Sequence, residues 1–106
     1  MTPANRLILA NVWVAVIAFA LGAMMAVMQA LARAGIELPF GTARLYYLSV
    51  TAHGVLEALV FTTFFIMALG YLVAETTLGR VAGLTWAWGG FWVAVVGTVM
   101  TTLAIL

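Results

Sequence analysis

The chain has 106 residues, of which 67% are apolar and 7% are charged, and its net charge is +1. A soluble domain carries roughly 25% charged residues, so a water-soluble globule is excluded and the expected solvent is lipid. A charge this small, with no cluster of basic residues, gives no means of neutralising a run of phosphates, so we expect no nucleic-acid partner. The absence of cysteine excludes disulfides, zinc–thiolate sites and iron–sulfur clusters built from this chain.

Long uncharged stretches predict membrane spans. The stretches 7–32 and 81–106 contain no charged residue, and 46–74 contains one, Glu57. A helix needs about 20 residues to cross ~30 Å of hydrocarbon, so each stretch is long enough. We therefore predict an all-α membrane protein with three transmembrane helices, at about 7–32, 46–74 and 81–106.

Short polar connections separate the three predicted helices. The first contains Gly35, Pro39 and Gly41, and the second contains Gly79. Consecutive helices should therefore be antiparallel neighbours. The positive-inside rule leaves the orientation open, because two arginines flank the spans on each side of the membrane. The last apolar run reaches Leu106 without a polar flank, so we expect a longer polypeptide of which residues 1–106 are a single N-terminal fragment.

Small residues recur at four-residue spacing in the first and third spans, a pattern that lets helix backbones approach closely in lipid. The two stripes are Ala18, Gly22, Ala26 and Ala30, and Gly90, Ala94, Thr98 and Thr102. We expect both to be helix-packing surfaces. Three tryptophans near the start of the third span, with two tyrosines at the start of the second, suit the headgroup zone; they are Trp86, Trp88, Trp92, Tyr46 and Tyr47.

His53 and Glu57 are the chemically active side chains of the second span. An ionisable side chain within a span costs roughly 3 kcal/mol on insertion scales, so both are functional candidates. They lie four residues apart and share a helix face. Neutral imidazole is a good axial ligand for haem iron, because one ring nitrogen binds the metal while the other donates to a carbonyl. A structural histidine bonded to a neighbouring helix would look the same, so both interpretations stay open at this point.

The surroundings of His53 favour a flat ligand modestly. Gly54 and its small neighbours Thr51, Ala58 and Thr62 predict a low-relief surface, and Phe61 and Phe64 are candidates for apolar walls; these six residues all lie within the second span.

Glu57 has three interpretations: a hydrogen-bonded structural acid kept neutral, a proton-relay group, or the partner of a basic group on another helix. The sequence does not choose among the three.

The segment 46–72 resembles the second helix of subunit I of the haem-copper oxidases. The shared pattern is the tyrosine pair, then Thr51-x-His53-Gly54-Val55-Leu56, then Ala58-Leu59-Val60-Phe61-Thr62. The resemblance extends to the first helix, which ends in Gln29-Ala30-Leu31, and to the tryptophan-rich start of the third. It implies the first three helices of a larger subunit I bundle.

The resemblance is closest to the B-type branch, the ba-type cytochrome c oxidases. A-type members have a Gly-Gly-Phe-Gly-Asn segment late in this helix and an acid that opens a proton channel after it, and neither is present here. Nitric oxide reductases usually have His-Thr-Asn where this chain has His53-Gly54-Val55. Oxygen is therefore the expected substrate. At Glu57 the B-type pattern often has a neutral polar residue, so the role of Glu57 stays open.

The resemblance also implies cofactors and partners. His53 is implied to be an axial ligand of the low-spin haem b, and a high-spin haem and a copper ion belong to the full-length subunit. The implied partners are the rest of subunit I, a copper-containing subunit II, cytochrome c or a similar donor, and the lipid bilayer. The implied reaction is cytochrome c oxidation with reduction of O2 to water and proton translocation in aerobic respiration. The resemblance places the catalytic residues on later helices, and the single histidine of this chain cannot supply bis-histidine ligation alone.

The family orientation implies a multi-pass protein of the cell membrane, with its N terminus in the cytoplasm and His53 toward the outer face. Two other classes remain as alternatives. One is a small cytochrome b membrane anchor of a respiratory dehydrogenase, which also has three spans and one haem histidine. The other is a small proton-coupled transporter that uses Glu57 as its carrier carboxylate.

Overall fold

The computed structural model describes residues 2–36 and 43–105, and all regular elements in these ranges are helical. Within them, three helices are long and apolar enough to cross a membrane, which confirms the predicted all-α membrane fold. The second of the three is continuous but not uniform, because a π-helical part interrupts it. The elements are α1 (Pro3–Arg33), α2 (Ala43–Gly54), the π segment (Val55–Phe61), α3 (Thr62–Leu78) and α4 (Leu84–Ile105).

Helix α1 is bounded by capping residues at both ends. Thr2 accepts a hydrogen bond from the Asn5 N–H (3.1 Å), and Pro3 occupies the first turn, where its missing N–H is not needed. At the other end, Gly35 takes a φ of 80° and its N–H donates to the Ala32 carbonyl, while the Ile36 N–H donates to the Leu31 carbonyl. This pair of bonds is a Schellman ending, which satisfies carbonyls that the helix leaves free. Of the predicted turn residues of this connection, Pro39 and Gly41 lie outside the described residues.

Glycines also set the connection between α3 and α4. Helix α3 is capped after Leu78 by Gly79, whose φ is 75° and whose N–H donates to the Glu75 carbonyl. Gly83 is left-handed as well, with a φ of 65°. This second left-handed residue delays the start of α4 to Leu84, three residues later than the apolar pattern predicts. The predicted end of that span, Leu106, is outside the described residues.

The first two spans are antiparallel, as the short connection predicts. Thr2 Oγ1, before α1, donates to Glu75 Oε1 near the end of α3 (3.3 Å). At the opposite end, Gln29 Nε2 donates to the Ser49 carbonyl (3.1 Å) and Arg33 Nε donates to the Tyr46 hydroxyl (3.1 Å). These bonds fix the register of α1 against the second span, which holds the residues around His53 in place.

The apolar core lies between α1, α3 and the first half of α4. Phe64 is 2% exposed and meets Phe91 edge to face at 5.9 Å between ring centroids, a geometry that aromatic pairs prefer. The remaining core residues are smaller and come mainly from α1; they are Leu7, Ala15, Ala18 and Val60. Helix α4 contributes least, because only 6% of its most apolar stretch is buried.

The two small-residue stripes differ in how far they are buried. Ala18 and Gly22 of the first stripe are buried against the second span, as predicted for a packing surface. In α4, Gly90 and Thr102 are exposed while Ala94 and Thr98 are half-buried, so only part of the predicted stripe packs among the described residues. The contact of α4 with the core is made by Phe91 and its neighbours Ala87, Trp88, Ala94 and Val95.

The three tryptophans of α4 also differ in exposure. Trp86 is 87% exposed and Trp92 is 59% exposed, which suits the headgroup zone or another apolar surface. Trp88 is half-buried and packs edge to face on Phe91 at 5.5 Å, so it belongs to the core and not to an interfacial anchor.

Asn11 is a polar residue with no exposed surface inside α1. Its Nδ2 donates to the Leu7 carbonyl one turn earlier (2.9 Å). Its Oδ1 is buried and has no hydrogen-bond partner in the part of the chain that the structure describes. A buried amide oxygen without a partner costs about 1–3 kcal/mol, so we infer that Asn11 destabilises the helix pair.

We expect Asn11→Leu to stabilise the full-length protein in detergent by about 1–3 kcal/mol, because an apolar side chain removes the unsatisfied oxygen. The measurement is the thermal unfolding midpoint. Asn5→Leu is the matched control: Asn5 is exposed in the same helix, and we expect no change. A lower midpoint for Asn11→Leu would mean that Oδ1 has a partner that the variant loses.

Candidate functional site

His53 lies at the end of α2, directly before the π segment, and faces α1. Its Nδ1 lies 2.8 Å from the carbonyl oxygen of Gly22, so Nδ1 carries the proton and donates it. The carbonyl is at the middle of a 31-residue helix, and it accepts this bond because no side chain at Gly22 blocks the approach. The tautomer and ring plane of His53 are therefore fixed by a backbone atom.

The second ring nitrogen of His53 has a different environment. With Nδ1 protonated, Nε2 is the lone-pair nitrogen of the neutral ring. It has no hydrogen-bond partner within residues 2–36 and 43–105, while the ring is half-buried. Donation of one ring nitrogen to a carbonyl, with the other left available, is the arrangement seen in metal-bound histidines.

Gly54 and its neighbours leave an open surface next to His53. A Cβ atom added to Gly54 would meet nothing within 4 Å, and Thr51 and Ala58 are exposed. This agrees with the predicted low-relief surface. The two residues predicted as apolar walls beside His53 have different surroundings. Phe64 is buried in the core. Phe61 is half-buried, and its ring centroid lies 5.2 Å from that of Phe19 and 5.4 Å from that of Phe65.

The π segment explains why Phe64 turns inward. Its i→i+5 hydrogen bonds make a wider turn than an α-helix and add one residue to it, so residues beyond the segment are rotated relative to those before it. Thr62 Oγ1 donates to the Glu57 carbonyl (3.2 Å), five residues earlier, and supports this turn. Counting faces from His53 with 3.6 residues per turn therefore fails beyond Phe61.

Glu57 is half-buried in the π segment and lies against Gly22. A Cβ atom built on Gly22 would be closest to Glu57 Oε1, and it would lie 2.8 Å from Cγ and 2.9 Å from Cδ, so a side chain at this position requires the Glu57 side chain to move. No hydrogen bond or ion pair joins the carboxyl group to any described residue. Within the described chain, Glu57 is thus neither a hydrogen-bonded structural acid nor the partner of a basic group.

Gly22 is the residue of the site that sequence reasoning missed. It was assigned to helix packing as part of the α1 stripe, but it also accepts the His53 proton and contacts Glu57. The signal that could have found it is the glycine within an otherwise alanine stripe, since a helix interior normally disfavours glycine by about 1 kcal/mol. The site therefore comprises Gly22, His53 and Glu57.

This arrangement suits an axial ligand to haem iron. The imidazole is oriented by a backbone carbonyl, its other nitrogen is available, and the adjacent surface carries a glycine where a flat macrocycle needs space. The residues present therefore fit a haem. His53 would hold such a group through one imidazole, and any second protein ligand would come from another residue, because His53 is the single histidine of the chain.

Comparisons with known proteins agree with this assignment at the level of the family. No curated protein and no solved structure matches the chain. A family model described as cytochrome c and quinol oxidase polypeptide I matches residues 6–106. The match includes all four described helices beyond the first turn of α1, and with them His53 and Gly22. The chain belongs to the cytochrome c and quinol oxidase polypeptide I family.

Proposed function

We propose that this chain is the N-terminal part of a haem-copper cytochrome c oxidase subunit I, and that His53 is an axial ligand of its low-spin haem b. The observation that carries the proposal is the 2.8 Å bond from His53 Nδ1 to the Gly22 carbonyl, which leaves Nε2 free to bind iron. Membership of the oxidase family supports the oxidoreductase activity of the full-length subunit.

In this proposal the low-spin haem supplies one-electron transfer toward a high-spin haem and copper pair in later helices, where O2 is reduced to water. The described chain provides the iron ligand, His53, and the residues that surround its ring. Gly22 fixes the proton on Nδ1, and Gly54 leaves space beside the ring. Partners follow from the same assignment: the rest of subunit I, a copper-containing subunit II and cytochrome c or a similar donor.

We also propose the B-type branch, a location in the cell membrane and a cytoplasmic N terminus. The motif around His53 supports the branch. The orientation puts the His53 end of the second span toward the outer face, where an external electron donor approaches. The membrane-anchor and transporter alternatives belong to other families, and family membership argues against both.

Purification of the full-length protein with its subunit II tests the proposal. We expect O2 consumption driven by reduced cytochrome c, together with a low-spin haem b band in the reduced-minus-oxidised spectrum. Oxidation of a quinol but not of cytochrome c would replace the proposed donor. Haem-free protein in an intact membrane fold would contradict the proposal altogether.

A further inference from the structure

We propose that Glu57 is a positioning residue for the His53 ligand: its side chain rests on Gly22 and holds α1 where the Gly22 carbonyl can accept the His53 Nδ1 proton. The inference rests on the proposed function, because the importance of that hydrogen bond follows from His53 being a haem ligand. Glu57 and His53 both contact Gly22 of α1, and the inference starts from this observation.

The first step is the crowding at Gly22. Of the described glycines, Gly22 alone is buried, and a Cβ atom there would enter the space of the Glu57 side chain. At the other glycines an added Cβ meets either nothing within 4 Å or, at Gly83, an ordinary contact of 3.8 Å with Trp86. The Glu57 side chain thus fills the space between Gly22 and the second span.

The second step is that the backbone of Glu57 is itself held. The π segment carries Glu57, and the Thr62 hydroxyl donates to the Glu57 carbonyl (3.2 Å). A wider turn follows His53, so the side chains at 53 and 57 both reach α1 at Gly22, one through a hydrogen bond and one through contact. The contact from Glu57 and the hydrogen bond from His53 therefore both act on Gly22 of α1.

The third step concerns the kind of interaction. The Glu57 carboxyl group has no hydrogen bond or ion pair to a described residue, and the side-chain atoms nearest to the Gly22 position are Oε1, Cγ and Cδ. Helix α1 carries no charged residue between Arg6 and Arg33, so no cation faces Glu57 from that helix. The volume of the side chain, and not its charge, performs the positioning.

The consequence for the ligand is geometric. A hydrogen bond of 2.8 Å is near the best N–H···O distance, and a displacement of α1 by roughly 1 Å weakens it strongly. The bond makes the imidazole more basic and fixes its plane. Loss of the bond lowers ligand basicity, which disfavours the ferric state and raises the midpoint potential of the haem.

The test uses the full-length oxidase and two readouts of the low-spin ferric haem: its EPR g values and its midpoint potential. We expect Gly22→Ala to shift the g values and raise the potential, with the haem still bound. Gly70→Ala is the matched control, because an added Cβ there meets nothing within 4 Å; we expect wild-type values. In the Gly22→Ala/Glu57→Ala double variant, space for the methyl group returns, so both readouts should move back toward wild type.

Single variants of Glu57 separate volume from charge and remain informative if Gly22→Ala does not fold. We expect Glu57→Gln, which keeps the shape, to retain wild-type g values and potential, and Glu57→Ala to shift both. Equal shifts in the Gln and Ala variants would overturn the proposal in favour of a charge effect. Wild-type values in Glu57→Ala, or no recovery in the double variant, would overturn it as well.

Failure of the inference and failure of the proposed function give different results. If the low-spin haem persists after removal of the His53 imidazole, the ligand assignment itself is wrong. If the haem depends on His53 but does not respond to Gly22→Ala or Glu57→Ala, the ligand assignment stands and the positioning role does not.

Discussion

In the full-length oxidase, His53→Ala is expected to abolish the low-spin haem b band of the reduced-minus-oxidised spectrum. The variant removes the sole histidine of the chain and with it the Nε2 lone pair. Alanine has no donor atom for iron, and a haem with one axial ligand lost does not stay six-coordinate low-spin. Because the haem lies between the electron donor and the oxygen-reducing centre in the proposed function, we expect cytochrome c oxidation to fall to background.

A glycine of the same span that lies away from His53 provides the control for this experiment. Gly70→Ala adds a methyl group where nothing lies within 4 Å in the described chain, so that part of the fold accommodates it. We expect Gly70→Ala to keep the wild-type low-spin band. A full low-spin band in a folded His53→Ala protein would refute the assignment of His53.

The three spans could be predicted from sequence, and His53 could be singled out as a candidate, because both depend on composition and local order. Apolar runs of this length have few alternatives to a membrane helix, since lipid offers no partner to an exposed backbone. A histidine in such a run is conspicuous for the same reason. The predicted spans differ from the described helices by a few residues, chiefly where Gly83 delays α4.

The partners of His53 could not be predicted in the same way. That Gly22 accepts the Nδ1 proton depends on the register between α1 and the second span, which tertiary contacts such as Gln29–Ser49 set. A four-residue stripe of small residues predicts close approach but does not say which carbonyl faces which donor. Asn11 is a further case, because the apolar pattern of α1 gives no sign that its amide is completely buried.

The π segment explains the clearest error of the sequence-based prediction. Phe64 is a candidate for an apolar wall near His53 by sequence, but it is a core residue packed on Phe91. A face count with 3.6 residues per turn assumes a regular helix, and the i→i+5 turn at Val55–Phe61 inserts an additional residue between the two positions. The same insertion lets one continuous span direct His53 toward Gly22 and Phe64 toward the core.

We therefore expect deletion of Ala58 to turn His53 away from Gly22 while Phe64 stays in the core. The side chain of Ala58 is exposed, so the deletion removes no core contact, but it removes the additional residue of the wide turn. A regular α-helix then turns α2 by about 100° relative to α3, because each helical residue accounts for that angle. His53 no longer faces the Gly22 carbonyl, and we expect loss of the low-spin haem band with helical circular dichroism largely retained.

Leu59→Ala is the matched control for the deletion, since it changes an exposed position of the same π segment without changing the register. We expect this variant to keep the wild-type haem spectrum. The deletion is more severe than any single side-chain change at Gly22 or Glu57, because it moves the ligand itself and not one of the residues that orient it. Retention of the low-spin band after deletion of Ala58 would show that the wide turn is not what aims His53 at α1, and that α2 can reach the same register by shifting along the helix pair.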